Sequence, residues 1–201
     1  MNQLLIATNN PGKVEELQDL LKDANIKLVT PAQIGLDLDV IEDGQSYAEN
    51  ATKKAVAFAQ ASNLISLADD SGLEVEALDG APGLYSARYG SREGSKLANA
   101  DRRKHLLSQL QDKLRPWKAR FHATIAIATP DNQIQITDGF CEGEIIPEER
   151  GAGGFGYDPI FLLPDLGKTM AELSMDEKNR LSHRARAVMK AKGTLKELFF
   201  K

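Results

Sequence analysis

The sequence predicts an α/β protein with a mixed β-sheet, and three observations support this. Over the first 70 residues, short apolar runs alternate with amphipathic helical segments in the order strand, helix, strand, helix, strand. Two later apolar runs flank Pro130-Asp131-Asn132, a turn sequence that favours an antiparallel hairpin. With 201 residues, 42% of them hydrophobic, the chain can build one good core, so we expect a single domain over residues 1–201.

The elements of the first half follow from apolar spacing and turn residues. The first helix places Val14, Leu17 and Leu20 on one face. The second begins at Ser46, where Glu49 completes a capping-box spacing. Along the chain we expect a strand at 4–7, a turn at 9–12, the first helix, a strand at 26–29, an acidic stretch at 37–44, the second helix and a strand at 64–68.

The second half is less regular. Segment 79–95 is rich in glycine and is typical of a functional loop. A helix at 99–114 follows, then strands at 121–128, 134–137, 142–146 and 160–163, and a final helix at 182–199.

Composition limits the partners and the location. The net charge of −4 provides no basic surface for nucleic acid. Cys141 is the only cysteine, so no intramolecular disulfide can form. We find neither a signal peptide nor an apolar stretch of membrane-spanning length, and therefore expect a cytoplasmic protein with no nucleic-acid or membrane partner.

Asp69 and Asp70 form the most informative motif, because two adjacent carboxylates follow the apolar run 64–68. Hard oxygen ligands at the end of a strand suit Mg²⁺, which proteins usually hold with one or two carboxylates plus substrate phosphates. Glu42, in the acidic stretch, is a candidate second carboxylate. The alternative is that Asp69-Asp70-Ser71-Gly72 is only a polar turn.

The junction between the first strand and the first helix is a candidate phosphate site. Backbone N–H groups at a helix start attract anions, and a lysine in the first turn is disfavoured unless an anion is present. The residues are Thr8, Asn9, Asn10, Pro11, Gly12 and Lys13. The segment is not a Walker A loop, and a plain turn with an exposed lysine is the alternative.

Two further segments are candidates for binding a planar group. Segment 151–156 matches G-x-G-x-x-G by letters, but no helix follows it, so we reject a dinucleotide fold. Its glycines would instead admit a flat ligand beside Phe155, unless the segment is only a flexible connection. Lys178, His183 and Arg184 crowd the start of the last helix, where Arg184 could read an oxygen-rich base edge or simply be solvated.

Six motifs in order resemble the inosine/xanthosine triphosphate pyrophosphatase family, also called the Ham1-like or noncanonical purine NTP pyrophosphatase family. They cover almost the whole chain. The motifs are Thr8-Asn9-Asn10-Pro11-Gly12-Lys13, Glu49-Asn50-Ala51 with Lys54-Ala55, Asp69-Asp70-Ser71-Gly72-Leu73, Gly80-Ala81-Pro82-Gly83 with Ser86-Ala87-Arg88-Tyr89, Phe155-Gly156-Tyr157-Asp158-Pro159, and Ser182-His183-Arg184.

The resemblance implies a homodimer whose protomers have an elongated mixed sheet between two α/β lobes, with the active site in the cleft. It also implies Mg²⁺-dependent hydrolysis of ITP, dITP and XTP to the monophosphate and pyrophosphate, which cleanses the nucleotide pool. Carried over by position, Asp70 is the proton acceptor and a metal ligand, and Glu42 is the other Mg²⁺ residue. The implied triphosphate residues are Thr8 to Lys13 and Ser71, and the implied base pocket comprises Gly154, Phe155, Gly156, Tyr157, Asp158, Lys178, His183 and Arg184.

Two other functions remain open from the sequence. One is a related pyrophosphatase that acts on pyrimidine or modified triphosphates, which the Ser182-His183-Arg184 and Phe155 motifs disfavour. The other is a nucleotide-binding sensor without catalysis, which the presence of both Glu42 and Asp70 disfavours.

Overall fold

A computed structural model describes residues 2–91 and 97–200, and within these residues seven strands form one sheet. The strands are β1 (Gln3–Ile6), β2 (Lys27–Val29), β3 (Ile65–Val75), β4 (Trp117–Ala128), β5 (Ile134–Ile145), β6 (Phe161–Leu163) and β7 (Lys168–Thr169). Their order across the sheet is β2-β1-β3-β4-β5-β6-β7. Strand β1 pairs in parallel with β2 and β3, whereas β6 pairs antiparallel with β5 and β7. The predicted mixed α/β sheet is therefore confirmed.

The described residues form five α-helices, and side-chain caps fix the starts of the first, the second and the fourth. Asn10 caps the first helix by accepting hydrogen bonds from the backbone N–H groups of Gly12 and Lys13. Ser46 caps the second, while Glu49 accepts from Gln45 rather than from Ser46. None of these helices is both long enough and apolar enough to cross a membrane. The helices are α1 (Pro11–Leu21), α2 (Tyr47–Ser62), α3 (Asn99–Leu110), α4 (Met175–Leu181) and α5 (His183–Phe199).

The chain divides into two compact units, each with its own apolar core. The first unit comprises Met1–Asp70, Ala123–Gly139 and His183–Lys201, and the second comprises Ser71–His122 and Phe140–Ser182. In the first unit, apolar side chains of α1 and α5 pack with β1 and β4, and α2 packs on other residues of the same strands. In the second, α3 packs against residues of β3 to β6. The elongated shape and the cleft stay predictions.

The strand predicted at 64–68 is longer than expected. Strand β3 continues through Asp69 and Asp70 to Val75, so the alternative of a polar turn at Asp69-Asp70-Ser71-Gly72 is wrong. Turn-forming residues remain extended here because the buried carboxylate of Asp69 is matched by cations from other elements. The sequence alone does not reveal that compensation.

Three other differences lie in the second half of the chain. The runs at 134–137 and 142–146 belong to one strand, β5, in which Gly139 allows the backbone of α5 to approach closely. Helix α3 ends at Leu110, before the predicted residue 114. Helix α4 was not predicted; it begins after Ser174, which forms a capping box with Glu177. Of the predicted loop at 79–95, residues 92–95 lie outside the described residues.

Candidate active site

Seven ionisable side chains of the first unit converge near the middle of β3. We call them the charged cluster. Within the described part of the chain, three cations of the cluster face four carboxylates, which leaves one negative charge in excess. The members are Lys13 and Glu16 of α1, Glu42, Lys54 of α2, Asp69 and Asp70 of β3, and Arg184 of α5.

Asp69 forms the buried side of the charged cluster. Its carboxylate accepts from Arg184 Nε at 3.0 Å and lies 2.5 Å from Lys13 Nζ. Arg184 also pairs with Glu16, and both partners are buried. Burial alone would raise the pKa of the Asp69 carboxyl, but the charges of Arg184 and Lys13 hold that pKa well below its ordinary value. Asp69 is therefore ionised at neutral pH and anchors the two cations.

Asp70 forms the less deeply buried side of the cluster, with a side chain that is 10% exposed against 0% for Asp69. Lys54 Nζ lies 2.6 Å from Glu42 Oε1 and 3.5 Å from Asp70 Oδ1, so one ammonium group joins both carboxylates. The same Nζ donates to the backbone carbonyl of Asp69 at 2.8 Å. Burial, assisted by the charge of Glu42, raises the pKa of Asp70 against the opposing charges of Lys54 and Lys13. The two predicted metal ligands, Glu42 and Asp70, thus both contact the ammonium group of Lys54.

Asn50 connects the acidic loop to Asp70. Its side-chain Nδ2 donates to Asp70 Oδ2 at 3.2 Å, while its Oδ1 accepts from the backbone N–H of Gly44 at 2.8 Å. A Cβ on Gly44 would lie 2.6 Å from that Oδ1, so only glycine permits this close approach. The amide of Asn50 therefore helps to hold Glu42, two residues before Gly44, close to Asp70.

The start of α1 lies beside the cluster through Lys13, the last residue of the predicted phosphate segment. Asn9, Asn10 and Pro11 are exposed. Thr8 Oγ1 accepts from the backbone N–H of Asn10, which in turn caps the helix. The anion that we expected near Lys13 is supplied in this structure by Asp69 of the chain itself. The segment remains an accessible helix start next to an excess of buried charge.

In the second unit, segment 151–158 forms a separate polar arrangement, which we call the glycine segment. Asp158 Oδ2 accepts from the backbone N–H of Phe155 at 3.0 Å and from Lys178 Nζ at 2.9 Å. Lys178 Nζ also lies 5.8 Å from the ring centroid of Phe155. Gly154 has a φ of +69°, and a Cβ there would collide with the Asp158 carboxylate. The half-buried ring of Phe155 and the buried pair of Asp158 and Lys178 are thus fixed together.

Tyr157 is held by its hydroxyl, which donates to the backbone carbonyl of Ser86 at 2.9 Å. Burial raises the pKa of Tyr157, so this hydroxyl remains a donor at neutral pH.

The structure assembles the predicted site residues in two groups. Lys13, Glu42, Asp70 and Arg184 meet in the charged cluster, and Gly154, Phe155, Gly156, Tyr157, Asp158 and Lys178 meet in the glycine segment. His183 is buried at the start of α5, and Ser71 is half-buried directly after Asp70.

Three members of this arrangement were given no role from sequence, although the sequence carries a signal for them. Lys54 and Asn50 lie on the same face of α2 as Tyr47, Ala51 and Phe58, which is its buried face. Glu16 lies on the buried face of α1, four residues before Leu20. A charged or amide residue at an apolar helical position indicates a buried polar partner.

Comparisons with known proteins give a consistent result. A model of the Ham1 family matches residues 4–194. The dITP/XTP pyrophosphatase of Desulforamulus reducens is 46% identical over 197 residues, covering 98% of this chain and 97% of the relative. That of Bacillus subtilis is 43% identical over 190 residues, with 94% and 95% covered. A solved Ham1 protein from Coxiella burnetii has a TM-score of 0.86 at 38% identity, covering 98% of this chain and all of the other.

Proposed function

Because the chain belongs to the Ham1 family, we propose that it is a nucleoside triphosphate pyrophosphatase acting on noncanonical purine nucleotides. It hydrolyses dITP, ITP and XTP to the nucleoside monophosphate and pyrophosphate. The observation that carries the proposal within this chain is the charged cluster, where Lys13 and Lys54 lie among the carboxylates of Asp69, Asp70 and Glu42. Cations beside ionisable carboxylates suit hydrolysis of a phosphoanhydride.

Mg²⁺ is the cofactor that we propose, held by Glu42 and Asp70. Among the described residues no group of three or more His, Cys, Asp or Glu side chains is arranged for a metal ion. A pair of carboxylates nevertheless fits Mg²⁺, which commonly takes one or two protein ligands and completes its shell with water and phosphate. The excess negative charge of the cluster favours a cation at this place. Bound there, Mg²⁺ would neutralise phosphate charge and polarise the phosphoryl group.

The chemical step that we propose uses Asp70 as the proton acceptor. The oxygen of a water molecule attacks the α-phosphorus, the bond from that phosphorus to the bridging oxygen breaks, and the proton of the water passes to the Asp70 carboxylate. Lys13 stabilises the charge that develops on the departing pyrophosphate. The residues Thr8 to Gly12 and Ser71 contribute donors to the triphosphate. Asn50 holds the Asp70 carboxylate through its 3.2 Å hydrogen bond.

The glycine segment and Lys178 are proposed to bind the purine. Phe155 offers its ring face for stacking, and the backbone near Gly154 and Gly156 admits a flat ligand. A pocket built to donate to the 6-oxo group leaves a donor unpaired with a 6-amino purine, which costs about 1–3 kcal/mol. His183 and Arg184 stay predicted base contacts. In this structure Arg184 is engaged by Glu16 and Asp69, so reaching a base would require it to exchange partners.

A nucleotide panel tests the proposal. The purified protein is incubated with ITP, dITP, XTP, ATP, GTP and dTTP, with and without Mg²⁺, and the products are resolved by chromatography. We expect IMP and pyrophosphate from ITP, only with metal, and much more slowly formed AMP and GMP. IDP with phosphate would move the attack to the γ-phosphorus. Preferred turnover of dTTP would indicate the related pyrimidine enzyme, and binding without turnover would indicate a sensor.

Two further proposals concern assembly and location. We propose a homodimer, which light scattering at micromolar concentration checks, since a monomer mass would remove the proposal. We also propose that the protein works in the cytoplasm. Fractionation of cells with an antibody against the chain tests that location.

A further inference from the structure

Outside the residues assigned so far, Arg103 of α3 contacts the glycine segment directly. Its Nη1 donates to the backbone carbonyl of Gly156 at 2.9 Å. Its Nε and Nη2 form a bidentate salt bridge with the carboxylate of Glu149, at 2.9 and 2.8 Å. All three residues belong to the second unit. One guanidinium thus ties a helix to the chain on both sides of residues 150–155.

Arg103 and Glu149 differ in burial, and the difference indicates what each side chain does. The side chain of Arg103 is 11% exposed, whereas that of Glu149 is 42% exposed. The hydrogen bond from Arg103 is the largest cause that lowers the pKa of Glu149, so this carboxylate is ionised at neutral pH. A bidentate carboxylate fixes the plane of a guanidinium. Glu149 therefore orients Arg103, and Arg103 orients the carbonyl of Gly156.

The carbonyl that accepts from Arg103 is that of Gly156, in the middle of the residues proposed to bind the purine. On one side, the backbone N–H of Phe155 is held by Asp158, and on the other the hydroxyl of Tyr157 is held by Ser86. Gly156 itself has a φ of +61°, and no atom of the described residues lies within 4 Å of the position that a Cβ would take. The hydrogen bond from Arg103 therefore restrains the orientation of its peptide group at a position with no close neighbour on the Cβ side.

We propose that Arg103, braced by Glu149, is a positioning residue for the purine-binding segment and thereby controls affinity for the base. This inference rests on the proposed function, because it assumes that Gly154 to Asp158 face the purine. Without Arg103 the Gly156 peptide can rotate, and the ring of Phe155 loses its fixed stacking position. The loss falls on binding, because the groups of the charged cluster are unaltered.

The first test compares R103M with R120M. Arg120 is a matched control, since it lies in the same unit and pairs with a glutamate, Glu74, at 2.6 Å. For R103M we expect KM for ITP to rise about tenfold with kcat within about twofold of wild type. R120M should keep both constants. R103K retains the charge but not the bidentate geometry, so its KM for ITP should lie between those of R103M and wild type.

A double-mutant cycle distinguishes positioning from general structural support. E149A should raise KM in the wild-type background but add little in the R103M background, because Glu149 acts through Arg103. Far-UV circular dichroism and thermal unfolding show whether each variant is folded. A folded R103M with an unchanged KM would overturn the proposal, as would equal increases in KM for R103M and R120M, or fully additive effects of E149A and R103M.

Binding of IMP separates this inference from the proposed function. IMP carries the base without the triphosphate, so calorimetric titration needs no turnover. If wild type fails to hydrolyse ITP yet binds IMP about tenfold more tightly than R103M does, the proposed function is wrong and the positioning role stands. If ITP is hydrolysed while R103M and wild type bind IMP equally, the positioning role is wrong and the function stands.

Discussion

The charged cluster and the glycine segment compensate buried carboxylates in different ways. Asp69 depends on side chains from distant parts of the chain, Lys13 and Arg184. Asp158 instead accepts from the backbone of Phe155, three residues away, and from Lys178. The first arrangement places full charges where phosphates and a metal are proposed to bind. The second places few charges beside a flat apolar ring, as a neutral base requires.

This difference separates two tasks that a nucleotide enzyme must perform. Charges aimed at phosphates act on the chemical step, because charge changes there in the transition state. Contacts to the base are the same before and during the reaction, so they act on binding. Substitutions in the charged cluster should therefore change kcat, and substitutions in the glycine segment should change KM.

The largest expected effect is the loss of the proposed proton acceptor in D70N. The amide keeps the shape of the carboxylate but cannot take a proton from water. We expect kcat to fall about a hundredfold to ten-thousandfold with KM nearly unchanged, measured by pyrophosphate release. A variant with near wild-type kcat and unaltered Mg²⁺ dependence would contradict the assignment of the chemistry to the charged cluster.

The next largest effect is on stability, in R184M. Removing this guanidinium leaves the buried carboxylates of Glu16 and Asp69 with less compensation, and we expect a loss of about 3–5 kcal/mol in urea unfolding. K178M is the counterpart in the second unit. Asp158 then keeps its hydrogen bond from Phe155, so the loss should be about 1–3 kcal/mol. Equal losses of unfolding free energy in R184M and K178M would show that the carboxylates of the two units are stabilised alike.

A smaller effect is expected for F155A. The variant removes the stacking face but none of the charged groups, so KM for ITP should rise about tenfold while kcat changes little. This is the inverse of the result expected for D70N, and steady-state kinetics on both variants with one batch of substrate compares them. A large fall in kcat for F155A would mean that the two regions do not divide the work.

The smallest effect concerns Glu177, beside Lys178 in α4. Hydrogen bonds from Lys168 and from the cap of α4 lower its pKa from 4.5 to about 2. A lowered carboxyl pKa in the folded state contributes stability above pH 4.5, and that stability is lost as the pH falls towards 2. E177Q should therefore melt at a lower temperature than wild type at pH 6, and the difference should shrink at pH 2.5. A difference independent of pH would assign it to packing instead.

The fold was predictable wherever local signals were sufficient. The first strands, the cap of α2 at Ser46 and the turn near Asp131 follow from apolar spacing and turn chemistry. The continuation of β3 through Asp69 and Asp70 was not predictable, because it depends on cations up to 115 residues away in the chain. Helix α4 is only seven residues long, which is too short for a clear apolar period.

The candidate site shows the same limit. Asp70, Glu42 and Lys13 could be chosen from their residue types and their predicted positions, which are the end of a strand, an acidic stretch and the first turn of a helix. The position of Asn50 on the buried face of α2 indicates only a buried polar partner, and Arg103 was given no role, because the importance of both lies in what they hold, which is a carboxylate in one case and a peptide carbonyl in the other. Sequence reasoning finds groups that act on a ligand more readily than groups that act on the protein.

The unbroken course of β3 has a consequence for the dynamics of Asp70. Asp70 lies within the eleven-residue strand β3 rather than in a loop; the neighbours of β3 in the sheet are β1, which pairs with it as far as Leu67, and β4. Loops open by local fluctuation, whereas an interior strand opens only when its neighbours separate. The conformational entropy of positioning the Asp70 carboxylate is therefore lost once, during folding, and is not lost again each time a ligand binds.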